Sequence, residues 1–317
     1  MTELTQAELI VDEPDLVPSN FIPGTFIQYA WDATSLESFK RCPRLYQYEM
    51  IEGWRPKNES VHLRWGAEFH TAMHQYHLVR ADNIEHDEAV FHVIRELLYR
   101  VEDWDTDHKY KNRFTLIRSV IRYLDQYEHD PAKTIVQANG KPAVELSFNF
   151  ELDYGPTEDQ PYMLCGHLDR VVDFQGEIFA EDYKSSTSTP GSYFWNQFEP
   201  NNQMSLYTLA GKIIFQTNIK GVLIDSIQLM IDDTRCTRGT TYRTDDQIAE
   251  WLVDLTQWLD KAKEYATAQY WPMNDTACDK YGGCKFREIC SKSPGVREHF
   301  LKGDFNQEEP WNPLKPR

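Results

Sequence analysis

Two aspartates and a lysine stand where one short hairpin would bring them together. Residues 165–186 read CGHLDRVVDFQGEIFAEDYKSS, two largely apolar runs separated by Gln175 and Gly176. A two-residue loop with Gly in second place predicts a tight hairpin in which residue 174 faces residue 177. Counted outward, Asp169 then falls opposite Asp182, and His167 opposite Lys184. All four project from one face, because residues two apart on a strand share a side. Facing carboxylates repel unless a divalent cation lies between them, and Mg²⁺ or Mn²⁺ takes such oxygen ligands. Lys184 beside the pair would orient a water and offset charge developing on a phosphate. On the other face Arg170 falls against Glu181, an ordinary ion pair, so Glu181 reads as structural. The competing reading of the same residues is a solvated acidic hairpin edge.

Cysteines form the second pattern. Of the six, Cys42 stands alone early, and Cys278, Cys284 and Cys290 follow at even spacing in CDKYGGCKFREIC. Three cysteines in a polar, Gly-containing stretch do not look like core, and a Cys₄ set suits zinc or an iron–sulfur cluster. A metal held by residues 42 and 278–290 would close a long loop and act as a staple. Cys165 and Cys236 read as packed thiols.

Elements able to position these groups are legible in the periodicity. Thr34 and Glu37 form a possible capping box opening a helix to about residue 50, and further helical stretches cover about 62–80, 86–104 and 112–129. Beyond Pro131 the pattern changes. Val144, Leu146, Phe148 and Phe150 alternate as in a strand, and strands at 163–174 and 177–184 make the hairpin. A helix at about 197–215, a strand at 220–231, a helix at about 245–269 and an irregular Cys-rich end complete the order. This predicts four segments. Residues 1–32 are an acidic tail or arm, 33–130 a helical layer, 131–270 the α/β core and 271–317 the cysteine segment.

A formal net charge of −17 over 317 residues argues against tight, non-specific binding to a polyanion, but the charge is uneven. Residues 1–32 hold six acids and neither Lys nor Arg, while Lys40, Arg41 and Arg44, then Lys109, Lys111 and Arg113, cluster locally. Arg118 and Arg122 share a helix face. With 41% hydrophobic residues, no membrane-length apolar run and no signal-peptide pattern, the chain is expected to be cytoplasmic and not bound to a membrane. No GxxxxGK[ST] loop is present, so ATP-driven unwinding would fall to a partner.

Asp169 followed by Asp182-Tyr183-Lys184 resembles the D…(D/E)xK core of the PD-(D/E)xK nuclease superfamily. Several further motifs stand in the order shown by its RecB-like members. GAEFH at 66–70 is similar to their upstream histidine motif, and GHLDRV and DYKSS to the strands carrying the two acids and the lysine. Gln203 and Tyr207 look like their QxxxY element, with i, i+4 spacing that puts both on one helix face. Cys42 in SLESFKRCPRLYQY with the three late cysteines resembles the iron–sulfur subset, which includes the AddB nuclease domain, CRISPR-associated RecB-like exonucleases and phage relatives. The C-x₅-C-x₅-C spacing is wider between its first two cysteines than is usual there.

The resemblance implies a restriction-endonuclease-like mixed α/β core with a helical N-terminal layer and a Cys₄ staple. It also implies a Mg²⁺- or Mn²⁺-dependent deoxyribonuclease, an exonuclease on single strands or DNA ends in recombination, repair or phage replication. His70, Asp169, Asp182 and the carbonyl of Tyr183 would hold the catalytic metal, Lys184 would assist, and Gln203 and Tyr207 would organise the site. Glu145 is a further candidate, since relatives often carry an acid there. Cys42, Cys278, Cys284 and Cys290 would hold [4Fe–4S], or zinc as the alternative. A helicase or recombination protein is a possible partner. The aromatic run Tyr193, Phe194 and Trp195 would be able to stack on unpaired bases. The alternative function is a non-catalytic nucleic-acid-binding or scaffolding subunit, against which the intact Asp169, Asp182 and Lys184 argue.

Overall fold

A computed structural model describes residues 17–58, 60–216 and 219–315. Most of the acidic segment at the N-terminus, residues 1–16, lies outside the described residues. The chain runs β1 (Ala30–Trp31), α1 (Ala33–Arg41), α2 (Pro43–Tyr46), β2 (Trp54–Pro56), α3 (Val61–Ala81), α4 (His86–Arg100) and α5 (Arg113–Gln126). It continues through β3 (Ala132–Thr134), β4 (Val144–Glu151), β5 (Met163–Phe174), β6 (Glu177–Ser186), α6 (Ser192–Asn196) and α7 (Asn202–Phe215). Strands β7 (Gly221–Leu229) and β8 (Thr234–Tyr242) and the long helix α8 (Asp245–Ala268) follow, then α9 (Arg287–Ser291), α10 (Arg297–Asp304) and β9 (Phe305–Gln307).

Two compact units emerge, neither continuous in sequence. One comprises Met1–Asn58, Ser147–Gly166 and Asp245–Arg317, the other Glu59–Leu146 and His167–Thr244. The first unit carries all four clustered cysteines. The helix expected from Thr34 to about residue 50 begins one residue earlier and is broken at Cys42, with helical structure resuming from Pro43 to Ile51. Its cap is Asp32, whose carboxylate accepts from the Ser35 amide at 2.9 Å while the Ser35 hydroxyl completes the box. It stops at Arg41 because the residue before a proline is pushed out of the helical region, and Cys42 is extended at φ −164°, ψ 114°. Pro43 then starts α2, where its missing amide costs nothing. Phe39, fully buried on α1, packs against Trp258 and Tyr265 of α8. Antiparallel pairing of β2 with β9 gives the C-terminal segment more order than its composition predicted.

In the second unit the hairpin forms as expected. Gln175 and Gly176 both have positive φ, 59° and 84°, which matches the right-handed twist of the flanking strands. Phe174 pairs with Glu177, and the ladder continues to Arg170 opposite Glu181. It ends there, one residue short of the Asp169/Asp182 level, so the strands part where the two acids stand. Strand β6 then runs parallel to β7, and β7 antiparallel to β8, which makes the sheet mixed. A parallel neighbour needs a crossover, and α7 supplies it. Asn201 caps this helix by accepting from the Met204 amide.

The two sheet faces are covered differently. On the face that carries Tyr183, Ile227 and Cys236, helices α3, α4 and α5 contribute Trp65, Phe69, Met73, Val93, Leu97, Leu116 and Val120 to one core. Burying side chains of that size contributes on the order of 1.5–3 kcal/mol each. Arg118, noted above as a basic surface group, is occupied instead in structure. Its guanidinium donates to the carbonyls of Met230, Ile231 and Asp233 at 2.7–2.9 Å and pins the β7–β8 turn. Among the described residues, no helix is long and apolar enough to cross a membrane.

Candidate active site

The two acids stand mid-strand on β5 and β6, just beyond the last paired level of the hairpin. Asp169 is 5% exposed and Asp182 1%, although ionised carboxylates this buried need a positive partner. Each has one. His70, on α3, places Nδ1 3.0 Å from Asp169 Oδ2 and Nε2 3.2 Å from the carbonyl oxygen of Tyr183. Lys184 places Nζ 2.8 Å from Asp182 Oδ2 and donates to Gln203 Oε1 at 3.0 Å. Gln203 in turn donates to the Tyr207 hydroxyl at 2.9 Å. One chain of contacts therefore joins Asp182, Lys184, Gln203 and Tyr207, and another joins Asp169, His70 and the Tyr183 carbonyl.

The electrostatics favour positive charge at this place. Burial pushes the Asp182 carboxyl above its ordinary range and the nearby Asp169 charge pushes it further, while Lys184 opposes both. Burial disfavours a charged His70, yet the Asp169 carboxylate outweighs it and raises the imidazole pKa overall. Two buried carboxylates and a peptide carbonyl thus compete for the positive charge that His70 and Lys184 bring. That hard, oxygen-rich donor set fits Mg²⁺ or Mn²⁺.

Among the described residues, no group of three or more His, Cys, Asp or Glu side chains is already gathered around a single metal position. Glu145 stands on β4, half-buried, in the left-handed region at φ 48°. Such backbone is uncommon outside glycine and recurs at functional sites. Lys111, from the basic cluster at 109–113, is 8% exposed and donates to the Ser185 hydroxyl at 2.9 Å, beside Lys184 in sequence.

The profile of the PD-(D/E)XK nuclease superfamily matches residues 30–291. The chain belongs to that superfamily. No curated protein matches the sequence significantly. Members of the PD-(D/E)XK superfamily use Mg²⁺ or Mn²⁺ to cut phosphodiesters, and the matched span includes Asp169, Asp182 and Lys184. The mixed sheet flanked by helices is consistent with the restriction-endonuclease-like fold expected of a PD-(D/E)XK protein.

Beneath this PD-(D/E)XK site lies a buried charge network that the sequence reading passed over. Arg170 and Glu181 are not an ordinary surface pair. They are 2% and 0% exposed, and Arg170 donates to Glu181 and to Asp130, both at 2.8 Å. Arg238 extends the network to Asp130 and Asp225, each at 2.6 Å. Tyr123 donates to Asp225. The Tyr183 hydroxyl donates to Glu181 at 2.8 Å and lies 3.2 Å from His77 Nε2. Tyr183 is thus anchored in this network by its side chain while its carbonyl faces His70. The available signal was register. Arg170 pairs with Glu181 and Asp225 with Arg238, and all four stand on the sheet face opposite Asp182.

Gln203→Leu keeps the bulk of the side chain and removes the acceptor that restrains Lys184. A hydrogen bond to a charged group is worth about 1.5–3 kcal/mol, so kcat is expected to fall about tenfold or more with KM for DNA nearly unchanged. Steady-state cleavage kinetics check this.

Proposed function

We propose that the chain is a RecB-like deoxyribonuclease that hydrolyses phosphodiesters of single strands or DNA ends, working as an exonuclease in recombination, repair or phage replication. The observation that carries this reading is the pair of buried carboxylates, Asp169 and Asp182, on neighbouring strands just beyond their last paired level, with Lys184 fixed beside them by Asp182 and Gln203. Asp169, Asp182, the Tyr183 carbonyl and His70 would hold Mg²⁺ or Mn²⁺. Bound there, the ion would lower the pKa of a water and neutralise charge on the phosphate. Lys184 Nζ, held by two acceptors, orients the attacking water and meets the charge that builds on the phosphate oxygens. Lys111, which donates to the Ser185 hydroxyl of that strand, adds a second cation nearby. The test is a comparison of linear and circular single-stranded DNA with Mg²⁺. The exonuclease reading expects mononucleotides or short products from linear DNA and an intact circle. Cutting of the circle would make the enzyme an endonuclease.

The four cysteines are proposed to hold [4Fe–4S], with zinc as the other metal a Cys₄ set accepts. None is in a disulfide. Cys42, Cys284 and Cys290 pack against the apolar cluster of Leu45, Tyr48, Phe286 and Ile289. The Asn274 amide donates to Cys42 Sγ at 3.3 Å, and the Cys284 amide to the Cys278 carbonyl at 2.8 Å. Burial raises the thiol pKa of Cys290, and the charges of Cys284 and Cys42 act in the same direction against the pull of Arg44. Thiols that feel one another in this way gain from sharing a cation. Metal analysis after anaerobic purification is expected to find iron and sulfide at about four each per chain, with both lost in Cys284→Ser. Zinc at about one per chain would assign the other metal, and neither metal would overturn the staple.

A further inference from the structure

We infer that the cavity beside Trp195 binds an unpaired nucleobase of the strand being cut, an inference that rests on the nuclease reading above. The cavity, of about 520 Å³, lies between the segment around α6 and the β7–β8 pair, with Trp195, Phe198, Ile224, Thr237 and Gly239 among its walls. That volume is in the range of small-molecule sites.

Sheet register ties the cavity to the catalytic groups. Asp182 pairs with Ile224 and Ile224 with Gly239, while Lys184 pairs with Ser226 and Ser226 with Thr237. Paired residues project from the same face. The cavity wall therefore stands on the face that carries Asp182 and Lys184, two strands away, or roughly 10 Å at the strand spacing. A strand whose phosphate lies at Lys184 would bring the base of a neighbouring nucleotide to the cavity mouth.

The lining suits a flat neutral ring better than a phosphate. The Trp195 indole rests on bare backbone, for a Cβ at Gly239 would meet its Cζ3 at 2.7 Å. Phe194, with ring centroid 4.9 Å away and edge-on, and Phe198 support it from the side. The indole is half-exposed, so one surface is seated and another is open. A ring already held in place loses little freedom when a base stacks on it. Arg238, the one basic residue of the lining, is engaged by Asp225 and Asp130. Glu199 at the rim repels a phosphate. Asn196 and Thr237 bring amide and hydroxyl groups that can meet the edge of a base. A paired base cannot turn into such a cavity without leaving its stack, which makes the pocket selective for single strands.

The experiment measures binding of a 5′-labelled oligothymidylate by fluorescence anisotropy, with Ca²⁺ in place of Mg²⁺, and in parallel Mg²⁺-dependent cleavage of the same strand. Proteins are wild type, Trp195→Ala and Thr237→Tyr, the last filling the cavity from an exposed strand position. A second oligonucleotide of equal length lacks its bases. Stacking of one base on an aromatic ring corresponds to about tenfold or more in affinity. Both variants are expected to bind the normal strand about tenfold more weakly, removal of the bases is expected to weaken wild type likewise, and the two losses should not add in Trp195→Ala. Unchanged binding by Thr237→Tyr, or additive losses in Trp195→Ala, with wild-type cleavage intact, would overturn the pocket and leave the nuclease reading standing. A wild type that neither binds nor cuts DNA would overturn both.

Discussion

Replacing Lys184 by Ala is expected to lower kcat for Mg²⁺-dependent DNA cleavage by about 10²–10³-fold, the usual cost of losing one preorganised group that meets charge in the transition state. KM for DNA should change little, because a single cation among many phosphate contacts contributes modestly to ground-state binding. Its Nζ lies 2.8 Å from Asp182 and 3.0 Å from Gln203, so it is held in position before substrate arrives. The side chain is 30% exposed, and with saturating Mg²⁺ to balance the Asp182 carboxylate its removal should leave the thermal midpoint nearly unchanged. Steady-state kinetics paired with a thermal scan would check both halves. A large fall in Tm with the loss of rate would mean that Lys184 supports the fold rather than the chemistry.

The largest effect on stability should come from the opposite sheet face. Arg170→Ala removes the cation between Glu181 and Asp130 and leaves two carboxylates facing Arg238 alone. Breaking a buried pair by deleting one partner costs about 3–5 kcal/mol, equivalent to a fall in Tm of roughly 10 °C. The loss should depend on pH. Burial pushes the Glu181 carboxyl up to about 7 against the pull of Arg170. A carboxyl whose folded pKa lies above its unfolded value holds its proton more tightly in the fold, so its contribution to stability declines as pH rises from the unfolded pKa through the folded one. Without Arg170 that opposing pull is gone. Melting of the variant at pH 6 and pH 8 is therefore expected to show a larger deficit at pH 8. Equal deficits would mean that Glu181 does not titrate in this range.

Activity should suffer in Arg170→Ala too. Tyr183 joins the network through its hydroxyl and touches His70 through its carbonyl, so slackening the first disturbs the second.

The hairpin was legible because one glycine fixed its loop, and its register held from Phe174 opposite Glu177 to Arg170 opposite Glu181. Periodicity cannot show that the ladder stops there, because strand divergence comes from what packs around the ends. The contacts of His70 with Asp169 and with the Tyr183 carbonyl also depend on where α3 lies against the sheet, which no local pattern encodes. Strand β8, TRCTRGTTY, has little strand pattern of its own. Its Arg, Thr and Gly residues read as a polar loop, and only pairing with β7 explains Arg238 on one face and Gly239 under Trp195 on the other. The break at Cys42 was readable from Pro43, yet the stronger helical periodicity on either side obscured it. In each case the missing information was tertiary: what a charged or small residue meets across strands, rather than what it prefers alone.

The most direct test of the site is the metal dependence of cleavage of end-labelled single-stranded DNA by wild type and by Asp182→Asn, each titrated with Mg²⁺ and Mn²⁺. If the two buried carboxylates hold the catalytic ion, wild type is inert in EDTA and active with either metal. Asp182→Asn then needs at least about 10- to 100-fold more metal, since loss of even an outer-shell partner costs that much, and stays slow when saturated. Equal activity of wild type and variant, or cleavage that persists in EDTA, would contradict the account.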